Sequence, residues 1–460
     1  MTAGEGGRPA NINAISASQA GYIQENVPGA TLYPPGSQPG GTIPSEFFYR
    51  GGHLLARDRD LQDVLSALAR LASSPTRDNR RLERAEATSR PIPGLTLVKL
   101  TFSKDLDKDP VATAQIMFSA LEAIERQLGP GKAAPDHLLS VTATPNVVTW
   151  CPATEPVPVP PDVAPQPAIS RSGCDGRGTL VAVVDEGLVE DAPVSHPWML
   201  GVTGETDQQV DEGVSIGLYG GHGTFIASII RAMAPRAEVR VARVFQTAGA
   251  AYESDVVSAL LSVLDWAPDV ISLSAGTHTW NSGGLLSFHA FVDGALRECP
   301  GTVLVSAAGN DGADWKFSPA EMESVIGVGA LGPPGDALAW FSDYGDWVKV
   351  YAPGQDLVQA FARGTYTYQE QNADTQAEFA GMASWSGTSF STPVVSGLIA
   401  ARMSGTGESA REAADSLLQL ARAQALPGVG PVLRPGQACL RVCERPCRDR
   451  LPQVRCDCHS

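Results

Sequence analysis

The sequence has no long hydrophobic run. No stretch reaches the roughly 18 consecutive apolar residues that a membrane-spanning helix requires. The first residues, Met1–Glu5, lack the basic start and apolar core of a secretory signal. We therefore expect no membrane partner and a cytoplasmic location by default, with secretion by another route as the alternative.

Positive charge is scarce. The chain carries 34 Lys and Arg against 50 Asp and Glu, which gives a formal net charge of −16. Phosphate binding needs clustered cations, so this balance argues against nucleic acid as the main partner. A solvated acidic surface explains the charge more simply. The apolar fraction of 43% is ordinary for a globular protein and allows a sizeable core.

Cysteine is sparse until the end of the chain. The chain has 8 cysteines, and Cys151, Cys174 and Cys299 are widely separated. The other cysteines lie together in the tail, and with a neighbouring histidine they are candidate metal ligands: Cys439, Cys443, Cys447, Cys456, Cys458 and His459. Thiolates and an imidazole suit zinc, but the usual C-x-x-C pairs are absent. Disulfides within the tail or to the three other cysteines, and free thiols, are the alternatives.

Composition divides the chain into five parts. Gly and Pro are plentiful, at 47 and 35, and the prolines concentrate after Cys151, which predicts an extended, semi-rigid linker. We expect an irregular N-terminal arm, a small α+β domain, this linker, a larger α/β domain and a Cys-rich tail. Their bounds are 1–45, 46–150, 151–172, 173–430 and 431–460.

The predicted small domain alternates strands and helices. Its strand candidates are 53–57, 95–102 and the material at 141–143 and 147–150, its helix candidates are 61–71 and 111–128, and 74–90 is expected to be an exposed loop. Strands and helices in this order predict a small α+β sandwich.

After the linker, short apolar strands alternate with helical segments. The strand candidates are 180–184, 238–244, 270–274, 303–306, 325–328 and 348–351, and the helix candidates are 223–233, 253–266, 285–298 and 410–421. Near-continuous apolar strands between helices predict a parallel sheet with helices on both faces. The polar segment 363–379 is expected to be a hairpin or loop.

Four polar residues occupy ends of these elements. Asp185 ends a buried strand, His222 lies between glycines before a helix, Asn310 follows a strand, and Ser389 precedes an apolar helix. Each alone is compatible with a turn or a cap. Together they supply a nucleophile, a base, an orienting carboxylate and an oxyanion donor.

These motifs resemble the signatures of the subtilisin-like serine peptidases. The resemblance rests on 185–187, 221–224, 272–276, 341–345, 351–354 and 387–393. It implies that Ser389 is the nucleophile, that His222 is the general base, and that Asp185 orients the imidazole. It also implies an oxyanion hole formed by Asn310 and the Ser389 backbone N–H, and a serine endopeptidase that needs no catalytic cofactor, with calcium as an optional structural ion.

The resemblance also implies a substrate cleft. Its walls would be Ser274, Ala275, Gly276, Ala307, Ala308 and Gly309. Glu186 and Phe390 depart from the residues that are common in the family. Phe317 would make the pocket shallow if it lies at the floor. Asp311 would favour a basic substrate side chain if it lies on the rim.

The element order of 46–150 resembles the ferredoxin-like prodomain that precedes many such peptidases. That resemblance implies contact with the cleft and processing in the linker, with a permanent accessory domain as the alternative. Two other functions stay open. One is a dedicated processing protease for a single partner or precursor peptide, and the other is a peptide-binding pseudoenzyme that does not cleave.

Overall fold

The computed structural model describes residues 21–33, 46–73, 81–106, 109–141, 153–245, 247–369 and 375–440. Their strands form sheets of eight, six and five strands.

The eight-stranded sheet lies at the centre of the larger unit. Its strands are β7 (Leu180–Asp185), β8 (Thr203–Gly204), β11 (Glu238–Arg243), β13 (Val270–Leu273), β14 (Val303–Ala307), β15 (Val325–Gly332), β16 (Ala337–Leu338) and β17 (Val350–Pro353). The order is β16-β15-β14-β13-β7-β11-β8, with β17 also paired to β15, and only the β15–β16 pair is antiparallel. Strand β7 is therefore interior, and its carboxyl end opens at the middle of the sheet, where α/β folds place functional groups.

Helices cover both faces of this sheet. Along β7, Val181 and Val183 pack in one hydrophobic cluster, whereas Ala182 and Val184 pack in another. Helices α4 (His222–Met233), α7 (Thr388–Thr406) and α8 (Ala410–Ala423) belong to the first cluster, and α5 (Glu253–Leu264) and α6 (Leu286–Phe291) belong to the second. A further single helical turn, α3, spans Ala192–Ser195. The predicted α/β class with a parallel sheet is confirmed.

The six-stranded sheet belongs mainly to the N-terminal part. Its elements are β1 (Ala30–Tyr33), β2 (Phe47–Arg57), α1 (Leu61–Ala72), β3 (Leu82–Ile92), β4 (Leu95–Phe102), α2 (Pro110–Leu128) and β5 (Ala133–Ser140). The strand order is β5-β2-β4-β3 with antiparallel pairs, and β1 pairs with β2. The arm that was predicted to be irregular therefore contributes a strand. Leu32 is the buried residue of this strand, and one buried residue in a Gly- and Pro-rich segment gives no alternating pattern that predicts a strand.

The loop predicted at 74–90 is wrong for its second half. Residues Leu82–Ile92 form strand β3, and residues 74–80 lie outside the described part of the chain. Only Leu82 and Ile92 of this strand are buried. The strand lies at the sheet edge, where both faces contact water, so its sequence has no hydrophobic alternation to reveal it.

Strand β5, which the sequence did not predict, joins the two units. Its outer edge pairs antiparallel with β12 (Ala250–Tyr252), so that a strand from the larger unit completes the N-terminal sheet. The strand material expected at 147–150 lies outside the described residues.

The described part of the predicted linker packs on the larger unit. Strand β6 (Val157–Pro158) pairs with β19 (Gln376–Trp385), which forms a hairpin with β18 (Leu357–Thr367). Short strands β9 (Val210–Asp211) and β10 (Ser215–Ile216) complete this five-stranded sheet. The hairpin expected within 363–379 is therefore present.

One tail cysteine is bonded elsewhere. Cys439 forms a disulfide with Cys174, 265 residues away, so its prediction as a metal ligand is wrong and one of the alternative disulfides is present. The other tail candidates lie outside the described residues, which contain no group of three or more His, Cys, Asp and Glu side chains placed to hold a metal. Disulfides are typical of oxidising compartments, so the cytoplasmic location stays a prediction. Among the helices that the structure describes, none has the length and hydropathy to cross a bilayer.

Candidate active site

Asp185 and His222 meet at the carboxyl end of β7. Asp185 is the last residue of the strand, and His222 is the first residue of helix α4. The Asp185 Oδ1 atom lies 2.8 Å from His222 Nδ1, and both side chains are fully buried. The Glu186 backbone N–H also donates to Oδ1, at 2.9 Å. A carboxylate bonded to Nδ1 fixes the neutral ring with its other nitrogen, Nε2, as the base.

Glycine at position 221 permits the sharp entry into helix α4. Gly221 has φ of +86°, and a Cβ there would lie 2.6 Å from the Phe361 ring. Its N–H donates to Asp207 Oδ2 at 2.7 Å. Asp207 therefore fixes the backbone immediately before His222.

Ser389 lies in the first turn of helix α7, and the residue after it contacts the histidine ring. The helix begins at Thr388, and Ser389 is 2% exposed. The following residue, Phe390, packs on the His222 ring with centroids 5.5 Å apart, and Trp385 packs on another side at 5.6 Å. Nε2 of His222 is buried and has no hydrogen-bond partner in the described structure. Pro393, the sixth residue of this helix, has no N–H to donate to the Ser389 carbonyl, which accepts instead from the Ser274 hydroxyl at 2.8 Å.

A backbone contact explains the glycine at 354. The Gly387 N–H donates to the Gly354 carbonyl at 2.8 Å, and a Cβ on Gly354 would lie 2.8 Å from the Gly387 carbonyl. The segment before β18 therefore supports the turn that delivers Ser389.

Asn310 faces the same turn from the end of β14. Its Oδ1 accepts hydrogen bonds from the Thr388 backbone N–H, at 2.8 Å, and from the Thr388 hydroxyl, at 2.9 Å. These bonds fix which end of the amide is oxygen, so that Nδ2, the donor, points away from Thr388. An amide donor held next to a helix N-terminus is suited to stabilise developing negative charge. Sequence reasoning missed Thr388 as the residue that orients this amide.

Glu186 is a buried acid beside Asp185. Neither carboxyl oxygen of Glu186 has a hydrogen-bond partner in the described structure. Burial raises the pKa of Glu186 well above its usual value, and the nearby Asp207 and Asp185 raise it further. Burial also raises the pKa of Asp207 to about 6, although hydrogen bonds from Gly221 and Gln209 lower it. The site thus holds three acids, of which Asp185 is the one paired with the histidine.

The free energy of unfolding should fall as the pH rises through the range in which buried Glu186 loses its proton. An acid with a raised folded-state pKa contributes stability that is present below its unfolded pKa, roughly 4.3, and is lost above the folded value. We expect Glu186→Gln, which stays neutral, to gain stability over the wild type as pH rises from 5 to 9. Each kcal/mol corresponds to about 2–4 °C in melting temperature. Glu190→Gln, which replaces an exposed acid nearby, is the control. If the difference in Tm between Glu186→Gln and the wild type is the same at pH 5 and at pH 9, the raised pKa of Glu186 is contradicted.

A strand from the N-terminal unit enters the cleft beside these residues. Ser140 and Gly276 exchange both backbone hydrogen bonds, each at 3.1 Å, and the Val141 N–H donates to the Gly249 carbonyl at 2.9 Å. The pairing with Gly276 is antiparallel, so the chain runs from Ser140 toward Ser274. The Ser274 hydroxyl in turn donates to the Ser389 carbonyl at 2.8 Å.

The described chain resumes at Ala153, which contacts the turn that holds Ser389. The Ala153 N–H donates to the Ser386 carbonyl at 2.8 Å, three residues before Ser389. The Trp385 indole N–H donates to the Thr154 carbonyl at 2.6 Å. Residues 142–152, between these two anchors, lie outside the described part of the chain.

The predicted cleft walls are close together, but one predicted rim residue is not available. Residues 274–276 follow strand β13, and residues 307–309 begin with the last residue of the neighbouring strand β14. Asp311, expected on the rim, has a fully buried side chain, and its Oδ2 lies 3.0 Å from His278 Nε2. It is therefore not a free acid facing substrate, and the expectation of a basic preference from Asp311 is wrong.

The larger unit is similar in sequence to known proteins. Residues 176–426 match the model of the subtilase family, Peptidase_S8. The chain is 32% identical over 235 residues to a thermophilic serine proteinase of Bacillus sp. strain AK1, covering 48% of this chain and 51% of that protein. It is also 32% identical over 247 residues to thermitase of Thermoactinomyces vulgaris, covering 51% of this chain and 78% of thermitase.

A solved structure shares the fold. The crystal structure of fervidolysin from Fervidobacterium pennivorans, described as a keratinolytic enzyme related to subtilisin, aligns with a TM-score of 0.51 at 18% identity. The alignment covers 85% of this chain and 61% of fervidolysin. The chain spans about half of the length of the Bacillus proteinase, 51%. The family model nevertheless covers more than half of the chain, and the chain belongs to the subtilase family.

Proposed function

We propose that this chain is a serine endopeptidase that hydrolyses peptide bonds through an acyl-enzyme intermediate. The single observation that carries the proposal is the buried Asp185–His222 pair, at 2.8 Å, packed against the helix turn that holds Ser389. A fixed Nδ1–H leaves Nε2 to take the proton of a serine hydroxyl, which is the role of the base in nucleophilic catalysis.

In the proposed reaction, Ser389 Oγ attacks the peptide carbonyl while His222 Nε2 accepts its proton. Asp185 stabilises the imidazolium that forms. Asn310 Nδ2 and the Ser389 backbone N–H donate to the oxyanion, and the helix N-terminus favours that charge. His222 then returns the proton to the leaving amine, and water hydrolyses the acyl ester by the reverse sequence.

The direct test is hydrolysis of an unfolded protein by the purified chain. The proposal requires cleavage that a fluorophosphonate abolishes. A folded chain that binds peptides yet cleaves neither unfolded proteins nor a panel of short peptides would instead support the non-cleaving alternative. Cleavage restricted to one partner or precursor peptide would support the dedicated protease.

We further propose that the N-terminal unit occupies the cleft of the intact chain as an inhibitor. The βαββαβ order of its elements supports a prodomain-like role, and the bonds of Ser140 to Gly276 and of Val141 to Gly249 support substrate-like binding. Cleavage by Ser389 would then occur between Val141 and the proline-rich segment. Protein or peptide is the proposed substrate class.

A polar cluster supports this docking. Asp136 of the N-terminal unit accepts from the Ser254 N–H, at 3.2 Å, and from its hydroxyl, at 3.0 Å, at the start of helix α5. Arg50 bonds to Asp136 at 2.8 Å and to Asp255 at 2.9 Å, and its guanidinium lies 3.9 Å from the centre of the Tyr252 ring. Asp136 is completely buried, so its charge depends on Arg50.

Replacing Arg50 by alanine should release the cleft. Asp136 belongs to the same unit as Arg50, so the contacts that Arg50 makes across the interface are its ion pair with the exposed Asp255 and its cation–π contact with Tyr252. Together these two contacts are worth about 1–2 kcal/mol. We expect the uncut Arg50→Ala chain to hydrolyse a small peptide about 5- to 30-fold faster than the uncut wild type, measured as the initial rate after purification. Arg59→Ala, which removes an exposed arginine of the same unit, should leave the rate unchanged.

Two results would contradict the inhibitory role. One is an equal initial rate for uncut Arg50→Ala and uncut wild type. The other is full activity in wild-type chains whose N-terminus mass spectrometry shows to be intact, which would favour the permanent accessory domain.

A further inference from the structure

The side chain of Phe317 lies between the two walls of the cleft. A Cβ built on Gly276 would lie 2.7 Å from Phe317 Cδ1, and one built on Gly309 would lie 3.1 Å from Phe317 Cγ. The ring therefore contacts the backbone of both walls, and a side chain at position 276 would overlap it. Phe317 is 3% exposed, so it fills this space rather than bordering it.

The backbone on either side of Phe317 is held in place. Ser318 and Thr277 exchange two backbone hydrogen bonds, each at 2.9 Å, which join the Phe317 segment to the wall that contains Gly276. The His278 ring packs edge-on against the Phe317 ring, with centroids 5.4 Å apart.

A second set of contacts fixes His278 itself. Its Nδ1 lies 3.1 Å from the Lys316 carbonyl, and its Nε2 lies 3.0 Å from Asp311 Oδ2. The Asp311 N–H donates at 3.0 Å to Asp343, a completely buried acid. Displacing the Phe317 ring would disturb this whole set of buried polar contacts, so an incoming side chain would meet a fixed floor.

We propose that Phe317 closes the pocket for the substrate side chain before the scissile bond, and that the enzyme therefore selects small side chains such as alanine, serine and threonine there. The inference rests on the proposed function, because the walls matter only if a peptide lies between them. The strand at Ser140 and Val141 already binds Gly276 and Gly249, so a peptide in that path presents its next side chain toward the Ser274–Gly276 and Asn310 region.

The chain's own sequence is consistent with this selection. The residues that follow Val141 are Thr142, Ala143 and Thr144, all of which are small. An aromatic or long aliphatic side chain would have to displace a buried ring, and hydrophobic pockets discriminate by about 10–200-fold for even small size differences.

The test uses blocked peptides that differ only in the residue before the scissile bond: Ala, Val, Leu or Phe. With the wild-type enzyme we expect kcat/KM for Ala to exceed that for Phe by about 100-fold. Phe317→Ala should reduce this ratio by at least about 10-fold by gaining activity on Leu and Phe. Phe317→Leu preserves more of the packing and should shift the ratio in the same direction. It provides the test if Phe317→Ala does not fold.

Lys316→Ala is the matched control. Lys316 directly precedes Phe317, its side chain is exposed, and its hydrogen bond with His278 is made by the backbone carbonyl, which alanine keeps. We expect its Ala-to-Phe ratio to equal that of the wild type. A wild-type preference for Phe or Leu, or unchanged selectivity in both Phe317 variants, would overturn the pocket assignment alone. Absence of Ser389-dependent hydrolysis of every peptide would overturn the proposed function, and the pocket assignment with it.

Discussion

Replacing Ser389 by alanine should lower kcat/KM by about 10⁵-fold or more. In a serine peptidase the nucleophile and base act as a unit, and loss of the nucleophile alone removes nearly all of the rate that they provide together. The packing of Phe390 on His222 couples the serine turn to the Asp185–His222 pair. Peptide binding should persist, because Ser389→Ala changes one buried atom and leaves the cleft walls in place.

Ser391→Ala is the control for this prediction. Ser391 lies in the same helix and is equally buried, and its hydroxyl has no hydrogen-bond partner in the described structure. We expect activity within a few-fold of the wild type. Initial rates on a short peptide substrate are the measurement, and a Ser389→Ala enzyme that keeps a tenth of the wild-type kcat/KM would contradict the nucleophile assignment.

Asn310→Asp should lower kcat by about 10²–10³-fold with little change in KM. Loss of one oxyanion donor costs about 2.7–4 kcal/mol, and the cost falls on the transition state because the oxyanion exists only there. Aspartate keeps the oxygen that accepts the two hydrogen bonds from Thr388 but provides no amide donor. The variant therefore keeps the side chain bonded to Thr388, while it removes the donor and places a negative charge beside the oxyanion.

Asn310→Ala, which also removes the acceptor, is the companion variant. We expect its kcat to be reduced no further than that of Asn310→Asp, because alanine removes the donor without placing a negative charge beside the oxyanion. Steady-state kinetics on the same peptide provide the comparison. A loss confined to KM in either variant would assign Asn310 to ground-state binding instead of the oxyanion.

The central sheet could be predicted from the sequence because its strands are buried on both faces. Strands such as Leu180–Asp185 and Val303–Ala307 are short apolar runs bounded by turn residues. This pattern can be recognised in the sequence without knowing which strands pair. The edge strand Leu82–Ile92 is mostly exposed, and its polar residues matched a loop equally well. Strand Ala133–Ser140 was missed because it contains proline and charged residues, which are buried only through the contacts of Asp136 and His137 with helix α5.

The positions of Asp185, His222, Asn310 and Ser389 at the ends of elements could be predicted, because each residue ends or follows an apolar strand or lies at the start of a helix. The partners that hold these residues in place could not be predicted. Asp207 lies in an irregular segment with no periodicity, and only the fold brings it to the Gly221 N–H. The partner of Asp311 is His278, 33 residues away, and the partner of Cys439 is Cys174, 265 residues away. Local sequence gives no measure of such contacts, so Asp311 was expected to be a free acid.

The most direct test of the central claim is covalent labelling with a fluorophosphonate, mapped by mass spectrometry of the digested protein. A serine hydroxyl reacts with this reagent only when a base and an oxyanion site activate it. The measurement uses the processed wild type and the His222→Ala and Ser389→Ala variants, whose N-terminal unit is first cut off by an added, unrelated protease that is then removed. We predict one adduct on Ser389 in the wild type and none in either variant. An unlabelled wild type, or an adduct on another serine that persists in Ser389→Ala, would contradict the assignment of Ser389 as an activated nucleophile.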